Sequence, residues 1–191
     1  MAVLSGALQR FVRRLAAAVS SAAFALLLAM PAIPAENPSL EYAVKATYLY
    51  KFAPFVTWPP STPQKATFDL CLSGSDDVTR LVPEAAAGQS INGKPLAVRV
   101  LAAGESSDGC QILYIAASPA AAQTLDAVRN KPVLTITDAA LPSHGIIGFT
   151  VIEHHVRFDI DNGLAANAGL SISSKLLNLA NAVTPAVGGA R

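Results

Sequence analysis

The chain reads as an α/β domain: a mixed, largely parallel sheet with helices packed on it and a C-terminal antiparallel hairpin. Three observations predict this. Two apolar, β-rich runs, Cys110–Ala116 (CQILYIA) and Pro132–Thr137 (PVLTIT), flank a stretch with helical spacing, Ser118–Arg129. Strand, helix and strand at that spacing form a βαβ unit, which implies parallel pairing through a right-handed crossover. Next, Ile146–Ile152 and Val156–Ile160 alternate around Glu153-His154-His155, the pattern of a hairpin. Finally, Leu40, Val44, Tyr48, Leu49, Phe52, Phe55 and Val56 recur in steps of three and four, the period of one buried helical face.

Residues 1–35 hold no acidic residue. Arg10, Arg13 and Arg14 precede the apolar run Leu15–Met30, and small residues precede Glu36. This order describes a secretory signal peptide at residues 1–35. A retained anchor is the alternative, but sixteen residues fall short of the roughly 20 that a spanning helix needs. Cleavage leaves 11 basic against 13 acidic residues, a formal charge of −2. No basic footprint for nucleic acid remains. Residues 36–183 are read as a single α/β domain and 184–191, with a Pro and two Gly, as a flexible tail.

The aromatic helix opens with Asn37 as cap and Pro38 at its first position. Pro54 intrudes, and Trp58-Pro59-Pro60 stops it. No ionisable residue lies in its apolar stripe, so core packing is the expected role. Thr67–Leu72 is the first strand. Asp76-Asp77 opens a helix with Val78, Leu81 and Val82 on one side, ended by Pro83 and Gly88. A turn at Ile91–Pro95 leads to a strand at Leu96–Leu101. Cys110–Ala116 is apolar enough to be a central strand covered on both faces. Ser118 caps the following helix, with Leu125 and Val128 inward. The hairpin is expected at a sheet edge. Ser171 or Ser173 starts a last helix, with Leu176, Leu177, Leu179 and Ala180 inward.

Little catalytic chemistry is legible. No G-x-S-x-G elbow occurs. Asp69, Asp76, Asp77, Asp138, Asp159 and Asp161 are scattered over strand ends and turns, where Asp is common. His154 and His155 at the hairpin tip point to opposite faces and do not readily share a metal. His144 lies in the loop after the Pro132–Thr137 strand. Ligands of open α/β sheets bind at such carboxyl ends, so His144 is the ligand-binding candidate. No catalytic residue, metal or cofactor is expected. Cys71 and Cys110 are the only cysteines, and in an exported chain a lone pair is expected to be bridged. The loop so closed is worth about 4 kcal/mol in the chain-entropy model.

Seven motifs stand out in order: Lys45–Phe52 (KATYLYKF) with Phe55–Pro59, Asp69–Cys71, Gly93–Leu96, Gly109–Ile115, Pro132–Asp138, Val156–Ile160 and Ile172–Leu177. In that order they resemble those of the YfiR (HmsC-like) periplasmic proteins. Together they cover about Glu41–Ala182. The resemblance implies a compact periplasmic protein, often a homodimer, without enzymatic activity. It implies a repressor that binds the sensor domain of an inner-membrane GGDEF diguanylate cyclase, and so controls cyclic di-GMP and biofilm formation. An OmpA-like outer-membrane lipoprotein would sequester it. Cys71 and Cys110 match the family's structural disulfide. The second cysteine pair that some members carry near the hairpin is missing, which puts redox switching of that kind in doubt. Tyr50, Lys51 and Pro54, off or at the margin of the inward stripe, are the partner-binding candidates. A periplasmic small-ligand-binding protein using His144 is the alternative.

Overall fold

In the computed structural model, residues 38–138 and 143–186 are described. The signal-peptide reading of residues 1–35 and the last part of the tail, 187–191, lie outside them.

Helix α1 spans Pro38–Lys51. It stops three residues before Pro54, which lacks the N–H a helix would need there. The chain tightens into a 3-10 turn, Ala53–Phe55. It then extends as β1, Val56–Thr57, where a longer helix was expected. Next come β2 (Phe68–Ser73), α2 (Asp77–Ala85), β3 (Ser90–Ile91) and β4 (Lys94–Leu101). They are followed by β5 (Ile112–Ile115), α3 (Ala121–Ala127), β6 (Leu134–Asp138), β7 (Ile147–Ile152) and β8 (His155–Asp161). The chain closes with α4 (Asn162–Asn167), β9 (Ser171–Ile172), α5 (Ser174–Leu177) and β10 (Ala182–Thr184).

Eight strands form one sheet in the order β10-β8-β7-β6-β5-β2-β4-β3. Pairing is parallel from β4 through β2, β5 and β6 to β7, and again between β10 and β8. It is antiparallel between β7 and β8 and between β3 and β4. The crossover from β5 through α3 to β6 is the predicted βαβ unit. All four residues of β5 are buried, as a strand covered on both faces must be. On one face Leu70, Leu72, Ile112, Ile136, Phe149 and Phe158 share a core with Leu49 of α1, Phe52 just after it, and Val78 and Val82 of α2. Tyr48, Phe52, Phe149 and Phe158 stack there, with the Phe52 and Phe158 rings 4.9 Å apart and edge-on. On the other face Cys71, Leu113 and Ile115 pack with Ala121 of α3 and Val128, which caps its end.

Several local expectations change. Pro83 sits inside α2, which continues to Ala85. Its start is held by a capping box: Asp76 accepts from Thr79 N, and Thr79 Oγ1 accepts from Asp76 N. Ser118 is not the cap of α3; its carbonyl instead accepts from Ala121 N. The β7–β8 turn uses two residues with positive φ, Glu153 (50°) and His154 (62°), so His155 already belongs to β8. Such a turn matches the right-handed twist of its strands. The hairpin is not at the sheet's edge, because β10 adds beside Asp159–Asp161. This strand takes in Thr184, the first residue of the expected tail. The last helix is a single turn, capped by Ser173, and Leu179 lies beyond it with 65% of its surface exposed. Finally β9, unexpected, pairs with β1 through Val56↔Ile172 and pins the exit of α1.

Candidate functional site

Glu41 and Lys45 stand one helical turn apart on α1. Lys45 lies outside the expected apolar stripe, yet only 3% of its side chain is exposed. Its ammonium lies 2.6 Å from Glu41 Oε1 and 2.6 Å from Asp138 Oδ2 at the carboxyl end of β6. Burial by itself pulls this ammonium's pKa down. Hydrogen bonds to Asp138 and Glu41, and their negative charge, outweigh burial and hold it above the ordinary lysine value. A buried cation is tolerable only when paired in this way. Sequence reading missed the triad, although a Glu four residues before a Lys is a recognisable helical pair. Asp138, 93 residues away from Lys45, is not detectable in the same manner.

The triad places α1 against the end of β6, where the loop carrying His144 begins. That loop returns on two buried threonines. Gly145 N donates to Thr137 Oγ1 (3.0 Å) and Ile146 N to Thr135 Oγ1 (2.9 Å). Gly145 is needed for the close approach, since a Cβ there would lie 2.8 Å from the Thr135 carbonyl oxygen. His144 is mostly exposed, with Nε2 3.4 Å from Asp161 Oδ2. The other oxygen of Asp161 accepts from Leu164 N and caps α4. His144 borders a cleft of about 310 Å³, also lined by Asp138, Gly148, Asp159 and Asp161. The fold thus brings His144 together with three carboxylates, Asp138, Asp159 and Asp161, that the sequence leaves scattered. Asp159 is tied to Asn181 at 2.8 Å. Among the described residues, no group of three or more His, Cys, Asp or Glu is placed to hold a metal ion.

The three partner-binding candidates separate. Lys51 and Pro54 are exposed. Tyr50 is not: it is 5% exposed and belongs to the main core. The helical period counts one inward stripe facing the sheet, but α1 also packs along α2, and that second neighbour closes its flank. Tyr50 meets the surface only indirectly, as the ring beneath the Lys51 ammonium, 5.3 Å from its centroid. Leu40, assigned to the inward stripe, is 64% exposed near the start of the helix.

Cys71 of β2 and Cys110, just before β5, form a disulfide with their Cα atoms 5.8 Å apart. Both are buried in the core beneath α3. Nearby, Asp69 is buried against Lys65 and Thr67, each 2.6 Å away. Tyr114, fully buried in β5, donates to Asp76 Oδ2 at 2.8 Å, which joins the cap of α2 to the sheet. Burial, then the charge of Asp76 and the hydrogen bond to it, push the Tyr114 phenol far up, so it remains a donor.

The YfiR/HmsC-like family model matches residues 42–181, from the first turns of α1 to the residue before β10. No curated protein matches the chain. The match supports a regulatory, non-enzymatic role in cyclic di-GMP signalling, exercised from the periplasm on a membrane partner. Spanning nearly every element just described, it establishes that the chain belongs to the YfiR/HmsC-like family.

Proposed function

We propose that the protein is a periplasmic repressor of a membrane-bound diguanylate cyclase, acting by contact with the cyclase's periplasmic sensor. In this reading residues 1–35 direct export and are removed, and residues 36–183 form the regulatory domain. The domain works as a homodimer and is titrated away by an OmpA-like outer-membrane lipoprotein. The family match carries the proposal. What supports a contact mechanism is the surface around the exit of α1 and the hairpin. Lys51 at the end of α1 and Pro54 in the 3-10 turn after it are exposed, and Val151 and Ile152 leave 42% and 40% of their surfaces open.

Repression of this kind needs no chemistry. A protein that binds only the inactive receptor shifts its equilibrium by its differential affinity. A change from 1:99 to 99:1 needs a preference of about 10⁴-fold. Deleting the gene in its host is expected to raise cyclic di-GMP and biofilm, and Lys51→Glu with Pro54→Ala to reproduce this while the protein stays folded. Unchanged cyclic di-GMP on deletion, together with no membrane cyclase in a pull-down, would refute the proposal. The second reading, a small-ligand-binding protein, draws on the cleft beside His144. It predicts a saturable thermal shift with one class of metabolite that His144→Ala abolishes.

A further inference from the structure

A second cleft, of about 370 Å³, lies between the segment leaving β1 and the β3–β4 turn, and it shares no lining residue with the cleft beside His144. Its wall contains two buried polar atoms without a hydrogen-bond partner, Trp58 Nε1 and Thr62 Oγ1. Thr62 is only 8% exposed. Native structures keep few such groups, because each has given up its water without replacement. Two in one cleft wall mark a place where hydrogen bonds remain to be made.

The chemistry of the lining narrows the occupant. Trp58 and Phe68 meet edge-on, with ring centroids 5.3 Å apart, and offer apolar surface beside the prolines of the segment. Gln64 and Asn92 contribute amides. Lys94 is the only charged group in the lining, and its ammonium is already engaged by Gln64 Oε1 at 3.1 Å. No carboxylate lines the cleft, so nothing there attracts a cation. Threonine hydroxyls and amides both donate and accept, while the indole N–H donates only. A carboxylate ligand would use the donors and leave the acceptors of Thr62 and Asn92 idle, Gln64 Oε1 being already taken by Lys94. A sugar hydroxyl both donates and accepts, and the C–H face of a sugar packs on aromatic and proline rings. The volume lies within the range of small-molecule sites. Both atoms are closed off from solvent, so a ligand reaches them by displacing residues 58–67, which carry neither helix nor strand and whose movement breaks no ladder.

We propose that this cleft binds a neutral mono- or disaccharide, whose hydroxyls meet Trp58 Nε1–H and Thr62 Oγ1. The proposal does not depend on the cyclase reading.

Trp58 is the only tryptophan in the chain, so its fluorescence reports on the site directly. The purified protein is titrated with glucose, N-acetylglucosamine and their β-1,4-linked disaccharides, with benzoate as the anionic comparison. A saturable emission change with at least one sugar, and none with benzoate, is expected. Thr62→Val keeps the shape and removes the hydroxyl. It should weaken sugar binding about tenfold, the value of one hydrogen bond. It should not lower Tm, because the lost hydroxyl has no partner within the protein. Thr62→Ser should retain binding. Silence to every sugar in both fluorescence and calorimetry overturns the proposal, as does binding of benzoate alone. Unaltered sugar binding by Thr62→Val, or a lowered Tm with unaltered binding, also overturns it.

Discussion

Replacing Lys45 by Met keeps the length and most of the apolar contact of the side chain but removes its charge. Asp138 and Glu41 then face each other's site without a shared cation. Breaking a fully buried pair by removing one partner costs about 3–5 kcal/mol. Here the carboxylates retain 27% and 31% exposure and so keep part of their water. A loss of about 2 kcal/mol follows. For a domain of this size that corresponds to about 4–8 °C in Tm. Urea denaturation of wild type, Lys45→Met, Asp138→Asn and the double variant provides the assay. The two single losses should be non-additive, since both remove one interaction. The pH dependence has a definite sign. The Lys45 pKa is raised on folding, so its stabilisation is complete below the ordinary lysine value of 10.5. It is lost as pH climbs through the folded value above that. The gap between wild type and Lys45→Met should therefore be constant around neutrality and close only in strong alkali. A Lys45→Met protein as stable as wild type, or strictly additive losses, would refute the view that the triad fastens α1 to β6.

Other perturbations test neighbouring parts of the structure. Cys71→Ser with Cys110→Ser opens a loop spanning 39 positions and should cost up to about 4 kcal/mol, read by denaturation with thiols blocked. Tyr114→Phe leaves Asp76 Oδ2 without its buried donor; a loss of about 1.5–3 kcal/mol is expected, and a neutral effect would mean that water replaces the phenol. Gly145→Ala should destabilise by about 1–3 kcal/mol, because its Cβ would press on the Thr135 carbonyl, and NMR shifts should concentrate at His144 and Ile146. Asp69→Asn tests the acid limb of stability. Burial raises the Asp69 pKa, but hydrogen bonds from Lys65 and Thr67, with the charge of Lys65 and Arg99, lower it further. Its stabilisation is thus present above the ordinary value of 3.8 and lost as pH falls through the folded one, so the variant should show a weaker acid transition.

Much of the architecture was legible in the residues, because it depends on short-range pattern. The apolar runs of β5 and β6, the alternation in β7 and β8, and the acidic helix start at Asp76-Asp77 are each written within a few neighbours. Those patterns, with the motifs from Lys45 to Leu177, were sufficient to indicate an α/β sheet, a bridged cysteine pair and the family. Elements two or three residues long escaped notice. Neither β1 nor β9 has enough residues to show a period, and each exists only because the other pairs with it. For the same reason β10 converted an expected edge into an interior position.

The candidate site divides along the same line. His144 was marked by its place after a strand, and Lys51 and Pro54 by lying off the apolar stripe. Tyr50 was misassigned because periodicity describes one buried face, whereas α1 has two neighbours, the sheet and α2. Lys45 and Asp138 were unremarkable separately, and only folding brought charges 93 positions apart to 2.6 Å. The same holds for Trp58 and Thr62, whose lack of partners is a property of the packed loop. The sequence alone determined the longer elements and the family, since local periodicity and short motifs survive without a third dimension. The tertiary structure decided which polar groups are paired, which are left unsatisfied and which surfaces stay open, because burial and distance belong to the assembled core.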